Sequence, residues 1–276
     1  MSTLYVSDLD GTLLRSDERT SDYTNRVVGG LVRRGAAFTY ATARSWFTAH
    51  KVTAGLTAAF PVIVYNGVFI LDNATGELLM ENYFSRQEAE ELLRDLLGAG
   101  IAPIVYSRIG GAEKFSYLPA RLNAEGEAFI LSRKGDSRDR PAETEAELFA
   151  GSIFYFTCIG GEAELVAFDA KYRERFHCSF AREYYSGAWF LEIMPKAATK
   201  ANAAKALAAR LGCGRIVAFG DGKNDLDLFA IADEAYATAN ADPALKAAAT
   251  AVIASNDEDG VAKWLAERFS IEEAMP

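Results

Sequence analysis

Two carboxylates, Asp8 and Asp10, stand two residues apart at the end of a short apolar run over residues 4–6. The apolar run predicts a buried strand, and Gly11 lets the chain turn sharply after it. Ligands of an open α/β sheet bind outside the carboxyl ends of its strands, so both acids are placed for chemistry. Carboxylates this close repel each other unless a cation or a shared proton intervenes. A hard, oxygen-seeking cation such as Mg²⁺ is the natural partner.

The same residues also allow a plainer interpretation. Asp and Gly are common in turns, so an isolated Asp-x-Asp-Gly fits a solvated turn as well as an active site. The choice between the two depends on whether the rest of the chain supplies matching parts.

A second acidic group, Asp221 with Asp225, repeats this arrangement around Asn224. It follows an apolar stretch that predicts a strand and precedes one that predicts a helix. Carboxylates near a helix N-terminus are favourable by themselves, so capping could explain one acid. Capping explains less well why three polar side chains cluster with two glycines. The segment contains no P-loop pattern.

Thr42 follows a predicted strand over residues 36–41 and therefore lies at the same kind of strand end as Asp8. A threonine in this place can offer both its hydroxyl and its backbone N–H to an oxyanion. Taken alone, it would be interpreted as the N-cap of the helix predicted from Ser45.

Lys200 lies in the first turn of an alanine-rich helix predicted over residues 198–211. The positive end of the helix dipole disfavours a cation there by about 0.3–1 kcal/mol, and a nearby anion would reverse the sign. A lone lysine more commonly extends into water. Lys196 and Lys205 lie close in sequence, so charge alone does not choose among the three.

Composition restricts the class of protein. The chain has 276 residues, half of them hydrophobic, enough for one large domain or two moderate ones. A net charge of −9 argues against a nucleic-acid partner, which needs a basic face. We expect no membrane partner and no signal peptide, since the chain lacks an apolar run of about 18 residues and a basic-then-apolar N-terminus. Three cysteines without a C-x-x-C pattern are typical of reduced thiols in a cytoplasmic protein. The sequence does not indicate the oligomeric state.

Strands and helices alternate in the first part of the chain, which predicts an α/β fold with a parallel sheet; the predicted strands are 4–6, 36–41 and 61–65. Asn66-Gly67 then predicts a two-residue hairpin turn. From about residue 85 the pattern becomes antiparallel α+β, with a polar, exposed loop over 132–144, and the parallel pattern resumes near 195. The sequence predicts a core domain of residues 1–83 and 195–276 with an inserted α+β domain of residues 84–194.

These segments together resemble the four motifs of the haloacid dehalogenase superfamily, in the same order: residues 8–12, Thr42, Lys200 and residues 220–225. The insertion resembles the α/β cap of the Cof-type (class IIB) phosphatases. Asn66-Gly67, Asn240-Ala241 and residues 256–262 are also similar to that subfamily. The resemblance covers essentially the whole chain. It has one departure, because Ala43 stands where the family usually carries glycine.

The resemblance implies a Rossmann-like core and an Mg²⁺-dependent phosphatase that acts on a small phosphorylated metabolite, such as a sugar phosphate, through an aspartyl-phosphate. Asp8 would be the nucleophile, and Asp10 the general acid and then the base. Asp8, the carbonyl of Asp10 and Asp221 would hold the metal, supported by Asp225. The phosphoryl group would be bound by Thr42, Ala43, Lys200 and Asn224. Substrate choice would lie in the cap, in loops at 108–114, 132–140 and 184–186.

Two alternatives stay open at this point. A phosphomutase of the same superfamily shares the core, and accumulation of an isomerised sugar phosphate would identify it. A non-catalytic protein that binds phosphate or metal would fail to turn over p-nitrophenyl phosphate.

Overall fold

The computed structural model describes residues 2–57, 59–182 and 187–270. The chain divides into two compact units, one made of Met1–Glu81 with Ala198–Pro276 and the other of Asn82–Ala197. The strands are β1 (Ser2–Ser7), β2 (Ala37–Tyr40), β3 (Pro61–Val64), β4 (Phe69–Asp72), β5 (Leu78–Glu81), β6 (Ile104–Ile109), β7 (Ala112–Tyr117), β8 (Asp139–Pro141), β9 (Ser152–Gly160), β10 (His177–Arg182), β11 (Trp189–Met194), β12 (Cys213–Gly220), β13 (Glu234–Thr238) and β14 (Ala251–Ile253). The helices are α1 (Asp22–Arg33), α2 (Trp46–Val52), α3 (Arg86–Gly98), α4 (Ala124–Leu131), α5 (Glu162–Tyr172), α6 (Lys200–Arg210), α7 (Leu226–Ile231), α8 (Pro243–Ala248) and α9 (Gly260–Arg268).

The first unit contains, within the described ranges, a five-stranded sheet of order β14-β13-β12-β1-β2. Every pairing in it is parallel, which confirms the predicted α/β class. The central strand β1 carries Leu4 and Val6, both fully buried. They pack against α6 through Ala204 and Leu207. A strand covered on both faces reads as a continuous apolar run, and this is why residues 4–6 were recognisable in the sequence.

Strand β3 differs from the prediction. Residues 61–65 were expected to extend the parallel sheet, but β3 pairs antiparallel with β4 in a separate sheet of order β3-β4-β5. Part of the predicted parallel pairing is present, because a single parallel bridge, Ala41 to Ile63, links β3 to the end of β2. The hairpin after β3 places β4 at the other edge of the strand, so antiparallel pairing dominates. That hairpin was predicted at Asn66-Gly67, but Val64 pairs with Phe69, so the loop is 65–68 rather than two residues.

The carboxyl ends of the parallel strands place four polar residues at one edge of the sheet. Asp8 follows β1, Thr42 follows β2, Asp221 follows β12, and Asn240 lies shortly after β13. The registers align these ends, because Ser7 pairs with both Phe219 and Tyr40. Parallel pairing thereby gathers side chains that are far apart in sequence.

The second unit contains, among its described residues, a six-stranded sheet of order β10-β11-β9-β6-β7-β8. All its pairings are antiparallel except that of β7 with β8. Leu92 and Leu96 of α3 and Leu165 of α5 are buried with Phe156 and Leu191 of the sheet. The two helices thus share one face of the sheet. The predicted loop at 184–186 lies outside the described residues.

The polar stretch over residues 132–144 is also different from the prediction. It was expected to be an exposed loop, and most of its residues are exposed. It nevertheless contributes β8 to the sheet and buries Arg138, whose side chain is only 4% exposed. Arg138 donates to Glu113 and Asp136, at 2.6 Å in each case, and its guanidinium lies over the ring of Phe115. A charge pattern alone cannot reveal such burial, because the same residues are also typical of a solvated loop.

Two composition-based predictions can be compared with the described part of the chain. None of the helices there is long and apolar enough to cross a membrane. Cys158, Cys178 and Cys213 are free thiols.

Replacing Arg138 with Met should destabilise the protein by about 3–5 kcal/mol, because two largely buried carboxylates would lose their common cation. The matched control is Arg86→Met, which removes the pair between Glu90 and an arginine that is 93% exposed and should leave the stability almost unchanged. Urea unfolding of the full chain measures both. Equal losses in the two variants would contradict the structural role given to Arg138.

Candidate active site

The turn after β1 separates the two aspartates of the first motif. Leu9–Leu13 forms a wide helical turn in which Asp10 (φ −72°, ψ 122°) and Gly11 (φ 73°, ψ 2°) are not helical. Gly11 is required twice, because its φ is left-handed and because a Cβ there would lie 2.3 Å from Asp221 Oδ2. The turn leaves Asp8 buried and the side chain of Asp10 half exposed.

Lys200 lies between two of the acids. Its Nζ donates to Asp8 Oδ1 at 2.5 Å and to Asp225 Oδ1 at 2.7 Å, and the lysine is 1% exposed. It is the first residue of α6, after the N-cap Thr199, whose hydroxyl oxygen accepts the N–H of Asn202. The two carboxylates are the nearby anions that a cation at a helix N-terminus needs.

The hairpin at 65–68 supports this helix start. Gly67 has a φ of +99°, and a Cβ there would lie 2.2 Å from the carbonyl oxygen of Thr199. A side chain at position 67 would therefore displace the residue that precedes Lys200. The hairpin glycine and the buried lysine belong to one packed arrangement.

Three carboxylates surround this single ammonium. Asp8, Asp221 and Asp225 each present an oxygen, and these oxygens lie within 4.8 Å of one another. Burial raises the pKa of Asp8 well above its usual value, against the attraction of Lys200 and with further repulsion from Asp225 and Asp221. Burial and repulsion by Asp225 raise the pKa of Asp221 to about 6. Three carboxylates share one ammonium, and such a cluster of hard oxygen donors with excess negative charge when ionised fits a divalent cation such as Mg²⁺.

Lys200 stays charged in this environment. Burial alone would lower the pKa of its ammonium, but the carboxylates of Asp225 and Asp8 raise that pKa above the ordinary value. A fixed positive charge beside Asp8 is suited to bind an oxyanion.

Asp225 also organises the loop that carries Asp221. Its Oδ2 accepts the backbone N–H groups of Asp221 and Gly222, at 3.2 Å in each case. A Cβ on Gly220 would lie 2.6 Å from that oxygen, so the carboxylate packs directly on the glycine backbone. From the other side, the hydroxyl of Thr12 donates to Asp221 Oδ1 at 3.1 Å. The supporting position predicted for Asp225 is therefore a buried one, at 0% exposure.

Asp10 has a different partner, Arg44, which the sequence analysis did not single out. Arg44 Nη2 lies 2.6 Å from Asp10 Oδ1 and Arg44 Nε lies 2.9 Å from Asp10 Oδ2, so both carboxylate oxygens are bound. Nη2 also lies 3.0 Å from Glu18 Oε2. Partial burial would lower the pKa of Arg44, but Asp10 and Glu18 hold it above its usual value. The sequence feature that could have identified Arg44 is its position two residues after Thr42, at the end of a predicted strand.

Thr42 is fully buried, and its hydroxyl oxygen accepts the N–H of Arg44 at 3.1 Å. The prediction that its backbone N–H is offered to an oxyanion is wrong, because this N–H donates to the carbonyl of Ile63 at 3.0 Å. The pairing of β3 beside β2 takes up that donor. The N-cap interpretation is also excluded, since Ser45 caps α2 by accepting the N–H of Thr48. Ala43 is not in the left-handed region, so its methyl group costs no backbone strain.

The other candidates lie as follows. Asn224 is exposed, and its Oδ1 lies 2.4 Å from where a Cβ of residue 222 would stand. Lys196 is exposed and donates to the carbonyl of Arg173. Lys205 is exposed on α6. Of the three neighbouring lysines, Lys200 is therefore the one that reaches the acidic cluster.

Comparison with known proteins gives consistent results. The family model of haloacid dehalogenase-like hydrolases matches residues 5–265. The chain is 29% identical, over 283 residues, to a 5-amino-6-(5-phospho-D-ribitylamino)uracil phosphatase of Bacillus subtilis, covering 95% of this chain and 96% of that one. It is 28% identical, over 248 residues, to an HMP-PP phosphatase of Serratia proteamaculans, covering 89% and 87%.

Among solved structures, a sugar phosphatase of HAD subclass IIB aligns with a TM-score of 0.75 over 99% of this chain and 100% of that one. Its identity of 20% makes this a likeness of fold. The family match, in contrast, runs from β1 into α9 and so includes the strand ends, the buried lysine and the three clustered carboxylates. This chain is a hydrolase and belongs to the haloacid dehalogenase-like hydrolase family.

Proposed function

We propose that this protein is an Mg²⁺-dependent phosphatase that hydrolyses a small phosphomonoester through an aspartyl-phosphate on Asp8. The observation that supports this most is the buried Lys200 ammonium, which touches Asp8 and Asp225 while Asp221 completes the acidic cluster. A carboxylate nucleophile beside a fixed cation is the arrangement that phosphoryl transfer needs. The excess negative charge supports a bound divalent cation.

In the first step, Asp8 would attack phosphorus, so that a new oxygen–phosphorus bond forms while the bond to the leaving oxygen breaks. Lys200 and the hydroxyl of Thr42 would hold the phosphoryl oxygens as charge develops on them. Asp8, the carbonyl of Asp10 and Asp221 would hold Mg²⁺, which neutralises phosphoryl charge when bound. Asn224 and Ala43 border the same site in this proposal.

Asp10 would give its proton to the leaving oxygen and later take one from the water that hydrolyses the aspartyl-phosphate. In this structure both of its oxygens are bound by Arg44. We infer that its side chain turns away from Arg44 when substrate binds. The half-exposed position of Asp10 leaves room for that rotation.

The proposed substrate is a small phosphorylated metabolite such as a sugar phosphate. The name of the Bacillus relative specifies a phosphorylated small molecule, and the solved neighbour is named a sugar phosphatase. We propose that the unit of residues 82–197 acts as the cap that selects among such substrates, in a protein of the cytoplasm.

Asp8→Asn should lower turnover of p-nitrophenyl phosphate by at least about 10³-fold, because an amide is not a competent nucleophile. Asp17→Asn, which alters an exposed acid, is the matched control and should keep wild-type activity. A steady-state assay with Mg²⁺ compares them. Substantial turnover by Asp8→Asn would exclude this residue as the nucleophile.

Asp221→Asn should raise the Mg²⁺ concentration for half-maximal activity by at least about tenfold, since loss of groups that only support a metal ligand already costs that much. The control is Asp227→Asn, a neighbouring acid outside the three-carboxylate cluster. The rise in Tm on adding Mg²⁺ gives a second readout that does not depend on activity. If both variants responded to Mg²⁺ like the wild type, Asp221 would not be a ligand.

Lys200→Ala should weaken inhibition by vanadate by about tenfold or more, because it removes the buried cation beside Asp8. Lys196→Ala and Lys205→Ala should leave the inhibition constant unchanged. Thermal unfolding must accompany the assay, since removing one partner of a buried ion pair can cost about 3–5 kcal/mol. Lys200→Met keeps most of the side-chain volume while removing the charge, and it should show the same loss of inhibition. A larger loss at either neighbouring lysine would contradict this assignment.

A further inference from the structure

The turn that carries Asp10 is held by a residue from another strand end. The carbonyl oxygen of Gly11 accepts a hydrogen bond from Asn240 Nδ2 at 2.7 Å and a longer one from the hydroxyl of Thr238 at 3.4 Å. Thr238 is the last residue of β13, and Asn240 lies two residues after it. Neither hydrogen bond is needed to form β13, so they act on the turn.

A second asparagine continues this contact. Asn240 Oδ1 accepts the backbone N–H of Asn256 at 3.1 Å, and Asn256 Nδ2 donates to the carbonyl of Leu14 at 3.0 Å. The two asparagines therefore hold the first-motif turn at its middle, Gly11, and at the residue that follows it, Leu14. Through them, the two tail stretches 240–241 and 256–262 contact the segment that carries the first motif.

The orientation of the Gly11 carbonyl matters for Asp10. Gly11 has a left-handed φ, and Asn240 binds the carbonyl of the peptide that joins Gly11 to Thr12. Rotation of this peptide would therefore also move Asp10, the residue before Gly11. On the opposite side, Thr12 donates to Asp221 and the Gly11 backbone packs against the same carboxylate. The turn is thus held between Asp221 and Asn240.

The position of the Asp10 carboxyl depends on the backbone of the turn. The side chain of Asp10 is 50% exposed, so packing does not fix its position. In the proposed mechanism, the side chain must also rotate away from Arg44. A side chain that rotates needs a fixed pivot, because misplacement by about 1 Å can cost 10²-fold in rate.

We propose that Asn240 is a positioning residue, which holds the Gly11 carbonyl so that the Asp10 carboxyl is placed to protonate the leaving oxygen. This inference rests on the proposed function. Asn240 is exposed, so its removal leaves the core of the protein intact. Its effect on the rate should therefore be separable from any effect on folding.

The test uses aryl phosphates of nearly the same shape, p-nitrophenyl phosphate and phenyl phosphate. p-Nitrophenolate leaves without a proton, whereas phenolate is a stronger base and benefits from one. Asn240→Ala should lose about tenfold or more on phenyl phosphate and clearly less on p-nitrophenyl phosphate. Asp10→Asn should show the same preference more strongly.

Two further variants sharpen the result. Asn240→Asp keeps the oxygen that accepts from Asn256 but loses the donor to Gly11, and should resemble Asn240→Ala in the ratio of the two rates. Lys246→Ala removes a neighbouring hydrogen bond, from Lys246 Nζ to the carbonyl of Ala239, and should keep the wild-type ratio. The Tm of each variant shows that the comparison is between folded proteins.

The outcomes separate the two levels of inference. In one outcome, Asn240→Ala lowers the rates on both phosphates equally while Asp10→Asn changes the ratio of the two rates. That result would overturn the positioning role of Asn240 and leave the proposed function standing. A wild-type protein that hydrolyses neither phosphate, or an Asp10→Asn variant with the wild-type ratio, would overturn the proposed acid role and this inference with it.

Discussion

The ion cluster around Lys200 is the interaction on which the rest of the site depends. A buried ammonium and buried carboxylates are each costly to remove from water, and they persist here because Lys200 contacts Asp8 and Asp225 directly. The compensation is incomplete, since three carboxylates face one cation. Burial raises the pKa values of Asp8 and Asp221, and repulsion from neighbouring carboxylates raises them further. A further cation would relieve both effects.

Close backbone packing holds this cluster in place. Asp221 lies against Gly11 and Asp225 against Gly220, at distances that no side chain would permit. Gly67 brings the 65–68 hairpin equally close to the residue before Lys200. The small sheet formed by β3, β4 and β5 therefore supports the start of α6 instead of widening the parallel sheet.

The two aspartates of the first motif occupy different environments, although one residue separates them. Asp8 is buried beside a lysine, and Asp10 is half exposed and bound by Arg44. In the proposed mechanism this difference separates their roles, because a nucleophile needs a fixed position and a proton carrier needs to move. The same turn can serve both only if its backbone is held, and the hydrogen bond from Asn240 to Gly11 provides this.

The sequence by itself determined the α/β class, because strand and helix periodicity is local. The same apolar runs showed that acids and a threonine stand at strand ends, which parallel pairing brings to one edge of the sheet. Only the tertiary structure decided which lysine is buried, since Lys200 and Asp8 are 192 residues apart. It also decided that Arg44 binds Asp10, that the N–H of Thr42 is taken by Ile63, and that Arg138 is buried in a stretch with the composition of a loop. These outcomes depend on distances between segments that are remote in sequence, and neither periodicity nor residue type encodes such distances.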